Sequence, residues 1–177
     1  MKFADIPRFT RQPTYKVDVG WKYLKDYLGT MGEGIQGGAN MNPDFQRAHV
    51  WTKVQQMRYI EFIFKGGTSG KNIYWNCKGW QKSNGMKNWG PLELVDGKQR
   101  LTAALDFLDN KVAVFGGYFY KDFTDKMGAF DYTFSFHIND LDTRKEVLQW
   151  YLDLNSGGVV HTEKELDWVR FLIKCEE

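Results

Sequence analysis

The sequence predicts an α+β domain, in which short strands are separated by helices of two to four turns. Three observations predict it. Apolar residues alternate along several short segments, which is the two-residue period of a strand, and elsewhere recur every three or four residues, which is the period of a helix. Three Thr-x-x-Gln or Thr-x-x-Glu capping boxes also mark the starts of helices. Because 177 residues is the length of one domain, we assign residues 1–177 to a single domain.

The first elements are a strand, a helix and a glycine-rich stretch. Tyr15, Val17 and Val19 alternate and predict the strand, and the residues from Trp21 to Leu28 then follow the helical period. Glycines crowd residues 29–38, but the stretch lacks the Lys-Ser or Lys-Thr ending of a phosphate-binding Walker loop. We interpret it as a flexible connector, with a ligand lid as the alternative.

A capped helix and a strand follow. Thr52 and Gln55 form the first capping box, and Gly66-Gly67 ends the helix. The predicted buried face of this helix consists of Val50, Val54, Met57, Ile60 and Phe64. Residues 73–75 predict a strand, and the polar residues 78–90 predict an exposed loop or hairpin.

The second half repeats the alternation of strand and helix. Residues 92–95 predict a strand that leads into Asp96-Gly97, and a helix follows through Leu108. Residues 134–138 predict another strand. The other two capping boxes, Thr143 with Glu146 and Thr162 with Glu165, open the last two helices.

Composition excludes several classes of protein. With 42% hydrophobic, 16% aromatic and 26% charged residues, the chain can bury a core and is not a disordered tail. Its two cysteines, Cys77 and Cys175, are too few for a disulfide framework or a four-cysteine zinc site. No apolar run is long enough for a membrane span, and the N-terminus lacks a signal peptide. We therefore expect a cytoplasmic protein with no membrane partner.

The charge is unevenly distributed along the chain. Residues 1–90 carry 14 Lys and Arg against 6 Asp and Glu, a net +8, whereas residues 91–177 carry 10 against 16, a net −6. Such asymmetry is typical of a face that binds anions, but it also arises when the two halves interleave in space and their charges mix.

The strongest local motif runs from Leu94 to Thr102, where a strand feeds a tight turn that opens a helix. Backbone N–H groups at a helix N-terminus bind anions, and Gly97 permits close approach or a positive φ. Lys98 and Arg100 add positive charge for phosphate. Asp96 suits a hydrated Mg²⁺ or the orientation of a water molecule, and Gln99 suits contact with a nucleophile or a phosphate. The competing interpretation is an ordinary Asp-Gly turn with a helix cap.

Weaker candidates lie elsewhere. Arg47 precedes a helix and can meet a bound phosphate, and His49 is either a general acid or base or, more often, a surface or core residue. Trp51 is either core or a stacking platform. Asn155 precedes Gly157-Gly158, a pair typical of a helix C-cap. Trp80 and Trp89, among lysines, are half-buried indoles of a hairpin or stack on single-stranded bases.

Three motifs in order resemble one known family. Pro43-Asp44-Phe45-Gln46-Arg47 through Trp51 is similar to its PxFQRxxxW opening, and Asp96-Gly97-Lys98-Gln99-Arg100-Leu101-Thr102 is similar to its DGQQRLT signature. Leu154 to Leu166 resembles its downstream iNxgGxxLxxxEL segment. The family is the domain found in the N-terminal half of GmrSD-type modification-dependent restriction enzymes, in the ParB/sulfiredoxin-like superfamily. The resemblance covers about residues 40–170.

The resemblance implies a small mixed sheet with flanking helices, and a loop that binds and hydrolyses nucleoside triphosphates with Mg²⁺. The implied catalytic residues are Asp96, Gln99 and Arg100, with Asp96 also holding the metal. The implied nucleotide-binding and phosphate-binding residues are Gln46, Arg47, Gly97, Lys98, Thr102 and Asn155. Lys98 departs from the family pattern, which has Gln there, so the details of the substrate stay open.

The resemblance leaves the exact reaction open. The leading expectation is a nucleotide phosphohydrolase or phosphotransferase in DNA metabolism, phage defence or counter-defence, with a DNA kinase and a nuclease as variants. The chain ends before the nuclease domain of its restriction relatives, so double-strand cleavage requires a separate effector subunit. The alternative from another class is a non-catalytic, nucleotide-gated DNA-binding or inhibitor module. In either case the expected partners are a nucleotide and DNA, in the cytoplasm of a bacterial or phage-infected cell.

Overall fold

The structure is a computed structural model, and it describes residues 2–6, 10, 15–33, 39–81, 90–156 and 163–176. The strands are β1 (Tyr15–Gly20), β2 (Ala39–Asn40), β3 (Asn72–Cys77), β4 (Leu92–Asp96) and β5 (Thr133–Asn139). The α-helices are α1 (Leu24–Glu33), α2 (Lys53–Phe64), α3 (Lys98–Leu108), α4 (Arg144–Ser156) and α5 (Glu163–Cys175).

The five strands form one mixed sheet in the order β1-β5-β3-β4-β2. β1 runs antiparallel to β5 and β3 antiparallel to β4, whereas β3 is parallel to β5 and β2 is parallel to β4. The predicted α+β class, a small mixed sheet with flanking helices, is therefore confirmed.

Helices cover both faces of the sheet because successive strand residues point to opposite sides. Ile73 and Leu94 join the larger core cluster, with buried residues of α1, α2 and α3. Their neighbours Tyr74 and Val95 join the smaller cluster, with buried residues of α4 and α5. β4 and the turn after it thus lie between two helical layers, and this position fixes the start of α3.

Two of the three predicted capping boxes lie in the described residues, and both are confirmed. The Gln55 N–H donates to Thr52 Oγ1 while the Thr52 N–H donates to Gln55 Oε1 at 2.8 Å. Thr143 and Glu146 make the same reciprocal pair at the start of α4. The third box begins at Thr162, which lies outside the described residues.

The predicted buried face of α2 is wrong at its first turn. Val50 and Val54 are 51% and 52% exposed, whereas Gln56, Ile60 and Ile63 are buried. The rest of the predicted face, Met57, Ile60 and Phe64, packs in the larger core cluster. Gln56 is buried beside it and reaches α3, where its Nε2 donates to Asp106 Oδ2 at 2.9 Å. Gln56 is thus buried at a position where the hydrophobic period alone predicts exposure to solvent.

The glycine-rich stretch begins within a helix. α1 continues through Gly29 and Gly32 to Glu33, so the prediction of a flexible segment is wrong for these residues. Gly34, Gly37 and Gly38 lie outside the described residues.

Charges of the two halves of the chain mix in space. Ion pairs join Lys25 to Asp109, Lys53 to Asp106 at 2.9 Å, and Arg144 to Asp44 at 2.5 Å, and each crosses from one half to the other. The sequence asymmetry therefore does not mark one basic face by itself. Among the described helices, none combines the length and the apolar character needed to cross a membrane.

Candidate functional site

The site is built on the turn between β4 and α3. β4 ends at Asp96, Gly97 is the N-cap residue with φ 107° and ψ 6°, and α3 begins at Lys98. A Cβ at Gly97 would lie 2.5 Å from Cδ1 of Ile73 and 3.3 Å from its Cα. Both the left-handed backbone and the close approach of β3 therefore require glycine here.

A cavity of about 510 Å³ opens over this turn. Eight of the nine site residues predicted from the sequence line it, together with residues from α2, α4 and the segment before α2. The lining residues from the predicted set are Gln46, Arg47, Asp96, Gly97, Lys98, Gln99, Arg100 and Asn155. Three separate parts of the chain therefore meet at one site.

The segment that precedes α2 is fixed to the turn by Gln46. Its Nε2 donates to the carbonyl oxygens of Leu94 and Val95, the former at 3.0 Å, which ties the segment to the end of β4. Phe45, next to Gln46, is buried and packs edge-to-face on Tyr151 of α4. Gln46 and Phe45 together hold the neighbouring Arg47 at the cavity.

The side-chain amide of Gln99 contacts backbone groups, whereas a contact with a nucleophile or a phosphate was expected. Its Oε1 accepts the N–H groups of Val50 at 2.9 Å and Trp51 at 3.1 Å, and its Nε2 donates to Ala48 O at 3.2 Å. The amide is thus engaged with the backbone and buried. We accordingly replace the predicted catalytic role of Gln99 by a positioning role, which holds residues 48–51 against α3.

Three cations surround the cavity. Lys98 is buried, its Nζ donates to Arg47 O at 2.9 Å, and burial lowers the pKa of its ammonium group. Arg47 lies 3.9 Å from Glu165 Oε2 of α5. Arg100 pairs with Asp96 Oδ2 at 2.5 Å. Among the lining residues three side chains are cationic and only Asp96 is anionic, so the cavity favours anions.

The wall opposite α3 comes from α4. Tyr151 is buried, and burial, assisted by the nearby carboxylates of Glu165 and Asp96, raises its pKa to about 12 despite the opposing charge of Arg47. Its phenol is therefore neutral at physiological pH and keeps its hydrogen-bond donor. Asn155 Nδ2 donates to Tyr151 O at 2.7 Å, one helical turn earlier. Tyr151 is not among the site residues predicted from the sequence, although its spacing of four from Asn155 is a signal that both lie on the cavity side of α4.

Several predicted candidates lie outside the cavity lining. Thr102 is one turn further along α3, and four residues of helix carry it about 6 Å from Lys98, so we leave it out of the site. His49 contacts the buried Gln56 at 3.1 Å, and burial lowers its imidazole pKa. His49 thus supports the segment from behind and is not a lining residue.

The polar loop with two tryptophans is only partly described. Trp80 is half-buried and its ring centroid lies 5.5 Å from that of Tyr15, as expected for a half-buried indole. Trp89 and residues 82–88 lie outside the described residues.

The carboxylate that could hold a metal is Asp96. Within the described residues, no group of three or more His, Cys, Asp or Glu side chains is arranged to bind an ion. Mg²⁺, however, is commonly held by one or two carboxylates together with substrate phosphates. Asp96, half-exposed at the cavity, fits that mode and does not fit a metal cage made by protein alone.

The comparison with protein families shows which family the chain belongs to. A family model described as the N-terminal domain of the GmrSD restriction endonuclease matches residues 28–167, which is 140 of the 177 residues. The chain belongs to that family. No curated protein and no solved structure matched it. The family match confirms the predicted family, and all three predicted motifs of this GmrSD N-terminal domain lie within the matched range.

Proposed function

We propose that the cavity binds the phosphates of a nucleoside triphosphate, and that this GmrSD N-terminal domain hydrolyses or transfers the terminal phosphoryl group during restriction of DNA. The observation that carries the proposal is the convergence of Arg47, Lys98 and Arg100 on the N-terminus of α3. Three cations from two segments, around one turn, match the negative charge of a polyphosphate.

The helix terminus adds to these side chains. The first N–H groups of an α-helix have no partner within the helix and carry partial positive charge. Gly97 makes no side-chain cap, and the residues from Gly97 to Arg100 line the cavity. A phosphate at this point would accept hydrogen bonds from the backbone N–H groups, as anions do at other helix termini.

The remainder of the cavity suits a base and a sugar. Val50, Trp51 and Leu154 line it, and Trp51 is half-buried against Tyr59, with ring centroids 5.4 Å apart. The half-exposed Val50 is explained if apolar surface is kept open for a ligand. The volume also lies within the roughly 300–1,000 Å³ of pockets that bind small molecules.

Binding of a phosphate would first change the partner of the Arg100 guanidinium. Arg100 is held by Asp96, and a bound phosphate would compete for the guanidinium, since Arg binds phosphate with two parallel hydrogen bonds. Asp96 would then be released to orient an attacking water or hydroxyl group. Arg100 and Arg47 would stabilise the charge on the transferred phosphoryl group. Alternatively, Asp96 would hold Mg²⁺ together with the phosphates, and the ion would supply further neutralisation of their charge.

One observation favours a second candidate, a nucleotide-gated binding module without turnover. Gln99 is fully engaged with the backbone, and Asp96, the carboxylate in the lining, is paired with Arg100. If the pair persists when nucleotide binds, no lining carboxylate is left to activate a water. In that case nucleotide would control the binding of DNA or of a separate effector subunit.

Release of phosphate separates the two candidates. We expect the purified domain with Mg²⁺ to release inorganic phosphate from at least one nucleoside triphosphate, and to do so faster when DNA is added. The measurement is a colorimetric phosphate assay over all common ribonucleotides and deoxyribonucleotides, with and without duplex DNA. Binding of nucleotide with neither release of phosphate above the buffer control nor transfer of a labelled γ-phosphate to the DNA would contradict the enzyme and support the binding module.

A further inference from the structure

A second cavity, distant in sequence from the nucleotide site, lies under the connection between α3 and β5. It has a volume of about 250 Å³. Six aromatic side chains line it: Phe64, Phe107, Phe115, Tyr120, Phe123 and Tyr132. Small-molecule pockets usually measure roughly 300–1,000 Å³, so this cavity has room for a small head group and not for a nucleotide.

The connection between α3 and β5, which forms most of the cavity, is long and irregular. Residues 109–132 contain no α-helix or strand, only a 3-10 turn at Tyr120–Asp122 and one bridge between Val114 and Tyr118. Ordered connections of this length inside a domain commonly carry function. Phe115 has φ 49°, a left-handed backbone that bulky side chains rarely adopt, and Gly116 and Gly117 follow with φ 85° and 140°. Such strain clusters at ligand sites.

Two of the rings that line the cavity are partly exposed to solvent, unlike the rings of a closed core. Phe115 and Phe123 are 38% and 39% exposed, yet their ring centroids lie only 6.3 and 6.4 Å from that of Phe64, which is partly buried against the core. The cluster therefore forms a cup whose floor, including Phe107, belongs to the core and whose rim, Phe115 and Phe123, faces solvent.

The charge at the cup favours a cation. Its charged lining residues are Asp125, Asp131 and Lys126, a net −1. Within the described residues neither carboxylate forms an ion pair, and Asp131 Oδ2 is held at the rim by the Gly128 N–H at 2.7 Å. Aromatic faces also attract cations. Lys65 already illustrates this, since its Nζ lies 5.5 Å from the ring centroid of Phe115.

We propose that this cup binds an organic cation of the alkylammonium class, with the aromatic rings around the head group and Asp125 and Asp131 balancing its charge. The same negative rim disfavours a nucleic-acid backbone. The proposal is independent of the nucleotide site, because the two cavities share no lining residue.

Choline and its neutral isostere 3,3-dimethylbutan-1-ol distinguish a cation site from a merely apolar one. By calorimetric titration of the purified domain, we expect choline to bind at least about tenfold more tightly than the isostere, since desolvated cation–π contacts are worth that much. Equal affinity for the two compounds, or no binding of choline, would overturn the proposal. So would preferential binding of a nucleoside.

Two variants locate the site. Phe123→Leu should weaken choline binding about tenfold, whereas Phe171→Leu, at a 54% exposed position on α5, should leave it unchanged. Asp125→Asn, at an exposed residue that does not threaten the fold, should weaken choline binding and leave that of the isostere unchanged. Retention of full choline affinity in both Phe123→Leu and Asp125→Asn would refute this location.

Discussion

Arg100→Ala is expected to lower nucleotide turnover by about 10³-fold, the lower end of what a charge-stabilising arginine supplies in phosphoryl transfer. The guanidinium lies at the cavity, is 21% exposed and is held next to the α3 N-terminus by Asp96. Alanine removes the bidentate phosphate donor and leaves Lys98 and Arg47 as the remaining cationic contacts. Initial rates of phosphate release, with nucleotide varied, measure the effect.

The fold should survive this change, because a half-exposed ion pair contributes only about 0–1 kcal/mol. Arg58→Ala provides the matched control, since Arg58 is an exposed residue of α2 outside the cavity and its loss should leave the rate unchanged. Wild-type turnover in Arg100→Ala would contradict the proposed catalytic role.

Gly97→Ala is expected to destabilise the domain by about 2–5 kcal/mol. Alanine in the left-handed conformation costs about 1–2 kcal/mol, and the crowding against Ile73 adds a further overpacking cost of about 1–3 kcal/mol. For a domain of this size the melting temperature should fall by about 4–20 °C. Thermal unfolding followed by circular dichroism gives this value.

Gly29→Ala should have the opposite sign. Gly29 lies exposed in α1, and a Cβ added to it would meet no other atom within 4 Å, so alanine there should stabilise the domain by about 0.5–1 kcal/mol. A wild-type melting temperature for Gly97→Ala would contradict the claim that the turn before α3 requires glycine.

Much of the fold follows from local signals. The alternation at Tyr15–Val19 and Phe134–Ile138 and the capping boxes at Thr52 and Thr143 predict elements that the structure contains, because these signals act within a few residues. The order of strands in the sheet is different. It depends on contacts between residues more than fifty positions apart, such as β1 with β5, and no local pattern encodes it.

The site shows the same division. The motif at residues 96–100 and the Phe45-Gln46-Arg47 segment predicted which residues meet, through the family resemblance. The role of each side chain could be assigned only from the structure. Gln99 looked like a ligand-binding amide, but three long-range hydrogen bonds use it to hold residues 48–51.

Only one of the two cavities could be predicted from the sequence. The nucleotide site lies at a recognisable strand–turn–helix motif. The aromatic cup has no motif, since its rings come from α2, α3 and an irregular connection. Only the positive φ of Phe115 and the half-exposed rings distinguish it from ordinary core.

Thermal stabilisation of the wild-type domain by nucleoside triphosphates with Mg²⁺ tests the central claim most directly. At a concentration 100 times the dissociation constant, bound nucleotide adds about 2.7 kcal/mol, which corresponds to a rise in melting temperature of about 5–10 °C. We predict this rise for at least one triphosphate and a much smaller one for the matching nucleoside at the same concentration, because most of the polar contacts are to phosphate. An unchanged melting temperature with every triphosphate, or an equal rise with the nucleoside, would contradict a phosphate-binding site at Gly97–Arg100.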